Sequence, residues 1–251
     1  MTRRRYIVLA ATAVVGAAVA GQLTLPSADR AFAAGANAPV VVELFTSQGC
    51  NSCPPADAFL GKLAGRPGII ALSYHVDYWN YLGWRDPYST KAATKRQKAY
   101  RWAMHTSMIY TPQMVVDGRY EGVGSRATRI ERLIAKARAK VEMASVVLSR
   151  SGDMLKATLG ALPKAGHSDI WLVFFDKERT TKIRGGELGG KTLTYHNVVR
   201  DFRVVGMYEG KEATLTLPAR DSSGVARWGA AVLIQKPNGG PIVGAGAVTG
   251  K

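Results

Sequence analysis

Cysteine is nearly absent from this chain. Its 251 residues hold two, Cys50 and Cys53. One pair in so long a chain excludes a small disulfide-stapled scaffold, so ordinary hydrophobic packing must hold the fold. Histidine is also scarce, with His75, His105, His167 and His196 the only four, which leaves few ligand sets for a metal. Acids number 18 against 34 lysines and arginines, a formal charge of +16. No long basic block interleaved with aromatics is present, and nucleic acid is not expected as a partner. Anionic envelope surfaces or acidic substrates suit the charge better as partners, and plain solubility is the preferred account of it. No internal repeat is found. The longest apolar run, Ile7 to Ala20, is roughly 14 residues, short of the ~20 that span a bilayer.

What is present at the N-terminus sets the compartment. "MTRRRYIVLAATAVVGAAVAG" joins three arginines to that apolar run, and Ala31-Phe32-Ala33 supplies an A-x-A cleavage site. Residues 1–33 therefore read as a secretory signal peptide, and the protein as periplasmic or extracellular. The opening "TRRRYI" fits either the general or the twin-arginine route. Removing it takes away four arginines and one acid and leaves a charge of +13. About 218 residues remain, enough for one large domain or two ordinary ones.

Two rhythms follow. From Val40 to about Val141, strand and helix signals alternate. "VVVELF" is a β-branched run, and after the cysteines Ala56, Phe59, Leu60 and Leu63 mark one helical face. "GIIALSYHV" reads as a second buried strand, Ser89 to Met104 as a helix in an insertion, and "PQMVVDGRYEGV" as a hairpin turning at Asp117-Gly118. "SRATRIERLIAKARAKV" predicts a closing helix with a Thr128–Glu131 capping box. From about Ser145, short strand-like runs are separated by turn signals such as Asn238-Gly239-Gly240, the pattern of an antiparallel sandwich. The expected domains are 38–143, α/β, and 144–251, all-β and sandwich-like.

The cysteine pair sits where the first strand gives way to the first helix. A helix N-terminus carries partial positive charge and free N–H groups, which stabilise a thiolate. Cys50, nearer solvent, becomes the nucleophile; Cys53, one turn inside, resolves a mixed disulfide. Pro54 and Pro55 are tolerated in a first helical turn. A structural staple is the alternative, although closing so short a loop removes only about 2 kcal/mol of chain entropy. Pro54 replaces the histidine that haem attachment needs. A metal site is the third reading, with Cys50, Cys53 and His75 holding copper. His75 and Asp77, after the second strand, lie at the cysteine end of a β-α-β unit. His75 there serves as acid–base or is hydrogen-bonded within the insertion. Around it crowd Tyr74, Tyr78, Trp79, Tyr81, Trp84 and Tyr88, expected to form the insertion's small core, with a substrate-facing apolar rim as the alternative.

The β-C-x-x-C-α-β opening, followed by "YTPQMVVDG", resembles the thioredoxin fold. "ELFTSQGCNSCPPAD", "SYHVDYWNYLGWRDPYS" and "KRQKAY" are similar to the exported bacterial family known as domain of unknown function 1223, and the likeness continues through "GGKTLTYHNVVRDF". That resemblance implies a thioredoxin-like N-terminal domain with Cys50 as nucleophile, Cys53 as resolving thiol and Pro112, preceded by Thr111, as a cis-proline that holds substrate. The family itself carries no settled activity; the lone cysteine pair together with Thr111-Pro112 points to a thiol–disulfide oxidoreductase needing no cofactor beyond its own disulfide. Its partners would be thiol- or disulfide-bearing protein substrates and an unidentified redox partner. One departure stands out. Several such enzymes carry a buried acid six residues before the first cysteine, where this chain has Leu44; the neighbouring Glu43 points to the other face of a regular strand. A binding module with a structural disulfide remains as the alternative of a different class.

"GGELGGKT", Gly185 to Thr192, satisfies a phosphate-loop pattern letter for letter. The mechanism needs a strand directly before and a helix directly after, and β-rich sequence follows instead. It reads as a glycine-rich loop.

Overall fold

The computed structural model describes residues 38–139 and 142–250; the predicted signal peptide lies outside the described residues. β1 (Val40–Thr46) leads through the cysteines to α1 (Pro54–Ala64) and back to β2 (Ile69–His75), which pairs parallel to β1 along its whole length. α2 (Lys91–Ala103) is started by Thr90, whose hydroxyl accepts from the Ala93 amide. β3 (Gln113–Val116) and β4 (Tyr120–Val123) form the hairpin, antiparallel to β1. Its turn residues Asp117 and Gly118 both take positive φ, 49° and 59°, which the Asp-Gly pair tolerates. Asp117 also accepts from the Val41 amide at 2.7 Å, tying the turn to β1.

α3 (Ala127–Arg138) buries Ile130, Ile134 and Ala137. The Thr128–Glu131 capping box does not form. Arg126 stands at the cap with no side-chain bond, and Glu131 is held instead by a two-pronged pairing with Arg66 at 2.6 and 2.8 Å. The strand order β4-β3-β1-β2 with α1 and α3 on one face is the thioredoxin arrangement.

The C-terminal half is all-β: β5 (Ala144–Ser151), β6 (Met154–Leu159), β7 (Ser168–Lys182), β8 (Thr192–Tyr208), β9 (Ala213–Pro218), β10 (Gly229–Gln235) and β11 (Ile242–Thr249). Its strands continue the first sheet, because β8 meets β2 at Ser73 and Val198, giving eleven strands in one order. The middle strands explain the packing. Leu172, Phe174, Val232 and Ile234 face a core shared with β5, β6 and β9. The alternate residues Val173, Phe175, Ala231 and Leu233 face Val41, Phe45, Leu72 and Tyr74 of the first half. Strands buried on both faces read as unbroken apolar runs, as "IWLVFF" and "AAVLIQ" do.

β7 and β8 form the longest hairpin, 15 and 17 residues, and its outer part reaches back over α1. A side chain on Gly61 would strike the His196 ring at 2.5 Å, so glycine in α1 lets the hairpin lie close. The glycine-rich loop forms the hairpin's tip, with strands on both sides and no helix. There Gly185 packs against the Gly83 carbonyl, where a Cβ would sit at 2.6 Å.

Candidate redox site

β1 ends at Thr46, and a tight turn brings Cys50 beneath the start of α1. The Cys50 amide donates to Ser47, and the Cys53 amide to Cys50, each at 3.2 Å. Cys53 is the N-cap residue of α1. The two sulfurs are joined as a disulfide with the Cα atoms 5.4 Å apart. Both are buried, Cys50 at 1 % exposure and Cys53 at 0 %, while Asn51 and Ser52 between them are exposed. The Ser52 hydroxyl lies 3.4 Å from the Cys50 sulfur.

The helix start is poorer in donors than most. Pro54 and Pro55 have no N–H, and the next two amides, of Ala56 and Asp57, both bond the Cys53 carbonyl at 2.9 and 3.1 Å. A thiolate here receives the helix dipole and Ser52 rather than a fan of free amides.

Asp57 lies one helical turn beyond Cys53 and is buried. Burial pushes its carboxyl up from 3.8 to about 7, against the opposing pull of His75 and the Thr46 hydroxyl. One of its oxygens has no protein partner. His75 ends β2, level with Thr46 of β1. Its Nδ1 meets Asp86 at 2.7 Å with both side chains fully buried, and its Nε2 is without a partner. Burial alone would raise Asp86, but His75 and the amides of Gln48 and Tyr88, each at 2.9 Å, hold it below the usual carboxylate range. The C-terminal half contributes Tyr195, whose ring centre is 4.8 Å from that of His75 and whose buried hydroxyl is likewise unpartnered. Asp57, His75, Tyr195 and Thr46 thus each leave a polar atom without a protein hydrogen-bond partner in one buried region, which is uncommon in a folded protein.

Thr111 and Pro112 are linked to the cysteine loop and to α1 through Trp79 and Gly124. Their peptide bond is cis. Trp79 donates from its indole to the Thr111 hydroxyl at 2.8 Å, and its Cβ packs where a side chain on Gly49 would stand, 2.9 Å away. The Pro112 carbonyl accepts from Gly124 at 2.9 Å, and Gly124 packs on Ala56 of α1. Trp84 donates to Gln48 at 2.9 Å. The insertion's aromatics are therefore divided: Trp79 and Trp84 brace the cysteine loop, while Tyr81 stands in solvent.

Among the described residues, no three histidine, cysteine or acidic side chains converge as a metal site. The copper arrangement of Cys50, Cys53 and His75 is not assembled: the sulfurs are spent on each other, and Nδ1 of His75 on Asp86. Glu43 faces away from α1, as strand alternation requires. It pairs with Arg96 of α2 at 2.7 Å and accepts from Tyr100, with Gln235 closing the cluster.

Sequence reasoning missed Asp57, Asp86 and Tyr195. Asp57 did leave a signal, an acid in the helical stripe between Cys53 and Leu60. Asp86 and Tyr195 reach the site only through the path of the insertion and the long hairpin.

A parallel β-α-β unit closing on a Cys-x-x-Cys disulfide at its helix start, with a cis Thr-Pro loop alongside, defines a thioredoxin-like protein, here extended by an all-β half. The chain belongs to the family described as protein of unknown function (DUF1223), whose model matches residues 41–235. A protein of Agrobacterium tumefaciens, solved by X-ray crystallography as a structural-genomics target, is 37 % identical. The match covers 84 % of this chain and 94 % of that one, with a TM-score of 0.75. HBP35 of Porphyromonas gingivalis shares the fold at 14 % identity and a TM-score of 0.59, over 85 % of this chain and 76 % of its own. Comparison with curated proteins returns no match.

Proposed function

We propose that the protein is an exported thiol–disulfide oxidoreductase whose Cys50–Cys53 pair exchanges with thiols. The observation that carries this reading is the disulfide at the α1 N-terminus with a buried, proton-holding carboxylate, Asp57, one turn behind it. The signal-peptide reading of residues 1–33 supports export.

In the oxidising direction a substrate thiolate attacks the Cys50 sulfur. The S–S bond breaks, its electron pair passes to Cys53, and Asp57 supplies the proton that makes Cys53 a thiol. A second substrate thiolate then attacks the substrate sulfur of the mixed disulfide and releases Cys50 as a thiolate. The substrate leaves as a disulfide, oxidised by two electrons, and the protein holds the dithiol. Reduction of a substrate is the same path reversed, with Asp57 accepting the proton from Cys53. Thr111 and Pro112 present the backbone beside which an extended substrate segment lies. A second thiol or disulfide carrier must reset the pair after each turnover. The 1 % exposure of Cys50 favours sulfurs on extended segments or small molecules over those on bulky folded surfaces.

The test is trapping. Cys53→Ser should accumulate a mixed disulfide between Cys50 and a dithiol substrate, and Cys50→Ser should abolish exchange. Exchange that survives Cys50→Ser would refute the mechanism. The burial of both sulfurs favours one other reading, a structural disulfide in a binding protein. That reading predicts a bond that glutathione buffers leave closed.

A further inference from the structure

The exposed side of α2 has a composition the redox chemistry does not use. Its thirteen residues, KAATKRQKAYRWA, include no acid. Lys91, Lys95, Lys98 and Trp102 recur at i, i+4, i+7 and i+11, which a helix of 3.6 residues per turn places in one line. All four are exposed, while Ala93, Arg96, Gln97 and Tyr100 are buried on the opposite side. Arg96 is neutralised there by Glu43, and none of the three lysines forms an ion pair with any described residue. The line ends in apolar surface. Trp102 is 69 % exposed, with the Arg101 guanidinium over its ring at 4.8 Å. Met108 is 63 % exposed in the segment that returns along α2, held by the Arg101–Thr106 and Gln97–Tyr110 hydrogen bonds.

Solubility explains scattered lysines but not an uncovered indole at the end of their row, with a second exposed apolar side chain, Met108, on the neighbouring flank of α2 that carries Arg101. A soluble polyanion would be served by the charges alone. A bilayer surface matches both parts: phosphates for a straight cationic row about 10 Å long, and a headgroup boundary in which tryptophan is at home. Among the described residues no helix is long and apolar enough to cross a membrane. We propose that this face of α2 docks on a bilayer containing anionic phospholipid, with Lys91, Lys95 and Lys98 against the phosphates and Trp102 and Met108 at the headgroup boundary. Met108 is three residues from Thr111, so docking would hold the substrate loop within about 10 Å of chain from the membrane.

The test is co-sedimentation of the purified protein with vesicles of equal phosphatidylglycerol and phosphatidylcholine, and with vesicles of phosphatidylcholine alone, in 0.1 M salt. Variants share one N-terminus, so differences among them report on α2. The protein should bind the anionic vesicles only. Lys91→Gln/Lys95→Gln/Lys98→Gln should weaken binding about a hundredfold, from roughly one kcal/mol per lysine, and Trp102→Ala should weaken it further. All four side chains are exposed, and circular dichroism checks that the variants fold. The proposal is overturned by no binding, by equal binding to neutral vesicles, or by a lysine variant that binds as tightly as the parent. It is also overturned if Trp102→Ala leaves vesicle binding unchanged while heparin shows the same lysine dependence, because the partner is then a soluble polyanion.

Discussion

Asp57→Asn separates the carboxylate's charge from its shape. In the folded chain burial holds this group protonated up to about pH 7, while in the unfolded chain it ionises near its ordinary 3.8. Between these values the native state binds more protons than the unfolded state, so this group makes stability fall as pH rises. Below pH 4 both states are protonated and the contribution vanishes. Above pH 7 the full penalty applies, roughly 4 kcal/mol for a rise of about three pKa units. Asparagine has nearly the same shape and never ionises. The variant should therefore match the parent at pH 4 and exceed it by about 3–4 kcal/mol at pH 8, read by urea denaturation of the oxidised protein with the m-value unchanged. Other acids titrate in both proteins and cancel in the difference. The same variant should lose the proton donor for Cys53, slowing reduction by dithiothreitol at pH 7 about a hundredfold. A variant less stable than the parent at pH 8, or equal to it, would refute the reading of Asp57 as a buried neutral acid. A more stable variant with unchanged reduction kinetics would keep the burial and remove the role.

Two other changes probe the surroundings. Arg96→Met leaves Glu43 charged, buried and unpaired, and should destabilise the fold by about 3–5 kcal/mol. Adding Glu43→Gln should recover most of that loss, and neither change should alter the rate of disulfide exchange. Gly185→Ala puts a Cβ 2.6 Å from the Gly83 carbonyl and should cost about 1–3 kcal/mol. Amide exchange should quicken in residues 82–86, because the hairpin tip no longer seats on the insertion.

Much of the fold was legible because its elements obey simple local rules. α1 shows its apolar stripe, the Asp117-Gly118 turn adopts the positive φ its residues favour, and the middle strands of the sheet appear as unbroken apolar runs. The length of β7 and β8 was not legible. Their outer ends, Lys177 to Lys182 and Thr192 to Thr194, are mostly polar and exposed, and their ladder is held by backbone bonds that composition does not reveal. For the same reason the glycine-rich loop was recognised as a loop but not as the tip that reaches the insertion. At the site, the spacing of Cys50 and Cys53 marked them in the sequence, and the thioredoxin resemblance pointed to Thr111 and Pro112; the disulfide and the cis bond are present, and their roles belong to the proposal. Asp86 and Tyr195 were hidden because they arrive from an irregular insertion and from the far half of the chain. Glu43 shows strand alternation at work: one step along β1 separates the α1 side from the α2 side, and its carboxylate lies with Arg96.

The central claim is that the buried Cys50–Cys53 bond exchanges. Equilibrating the protein in glutathione buffers of graded potential and reading the thiols by alkylation shift tests it directly. The account predicts a midpoint above about −300 mV, within reach of thiol carriers. A pair that stays oxidised below that potential would contradict it, and the disulfide would then be a structural bond.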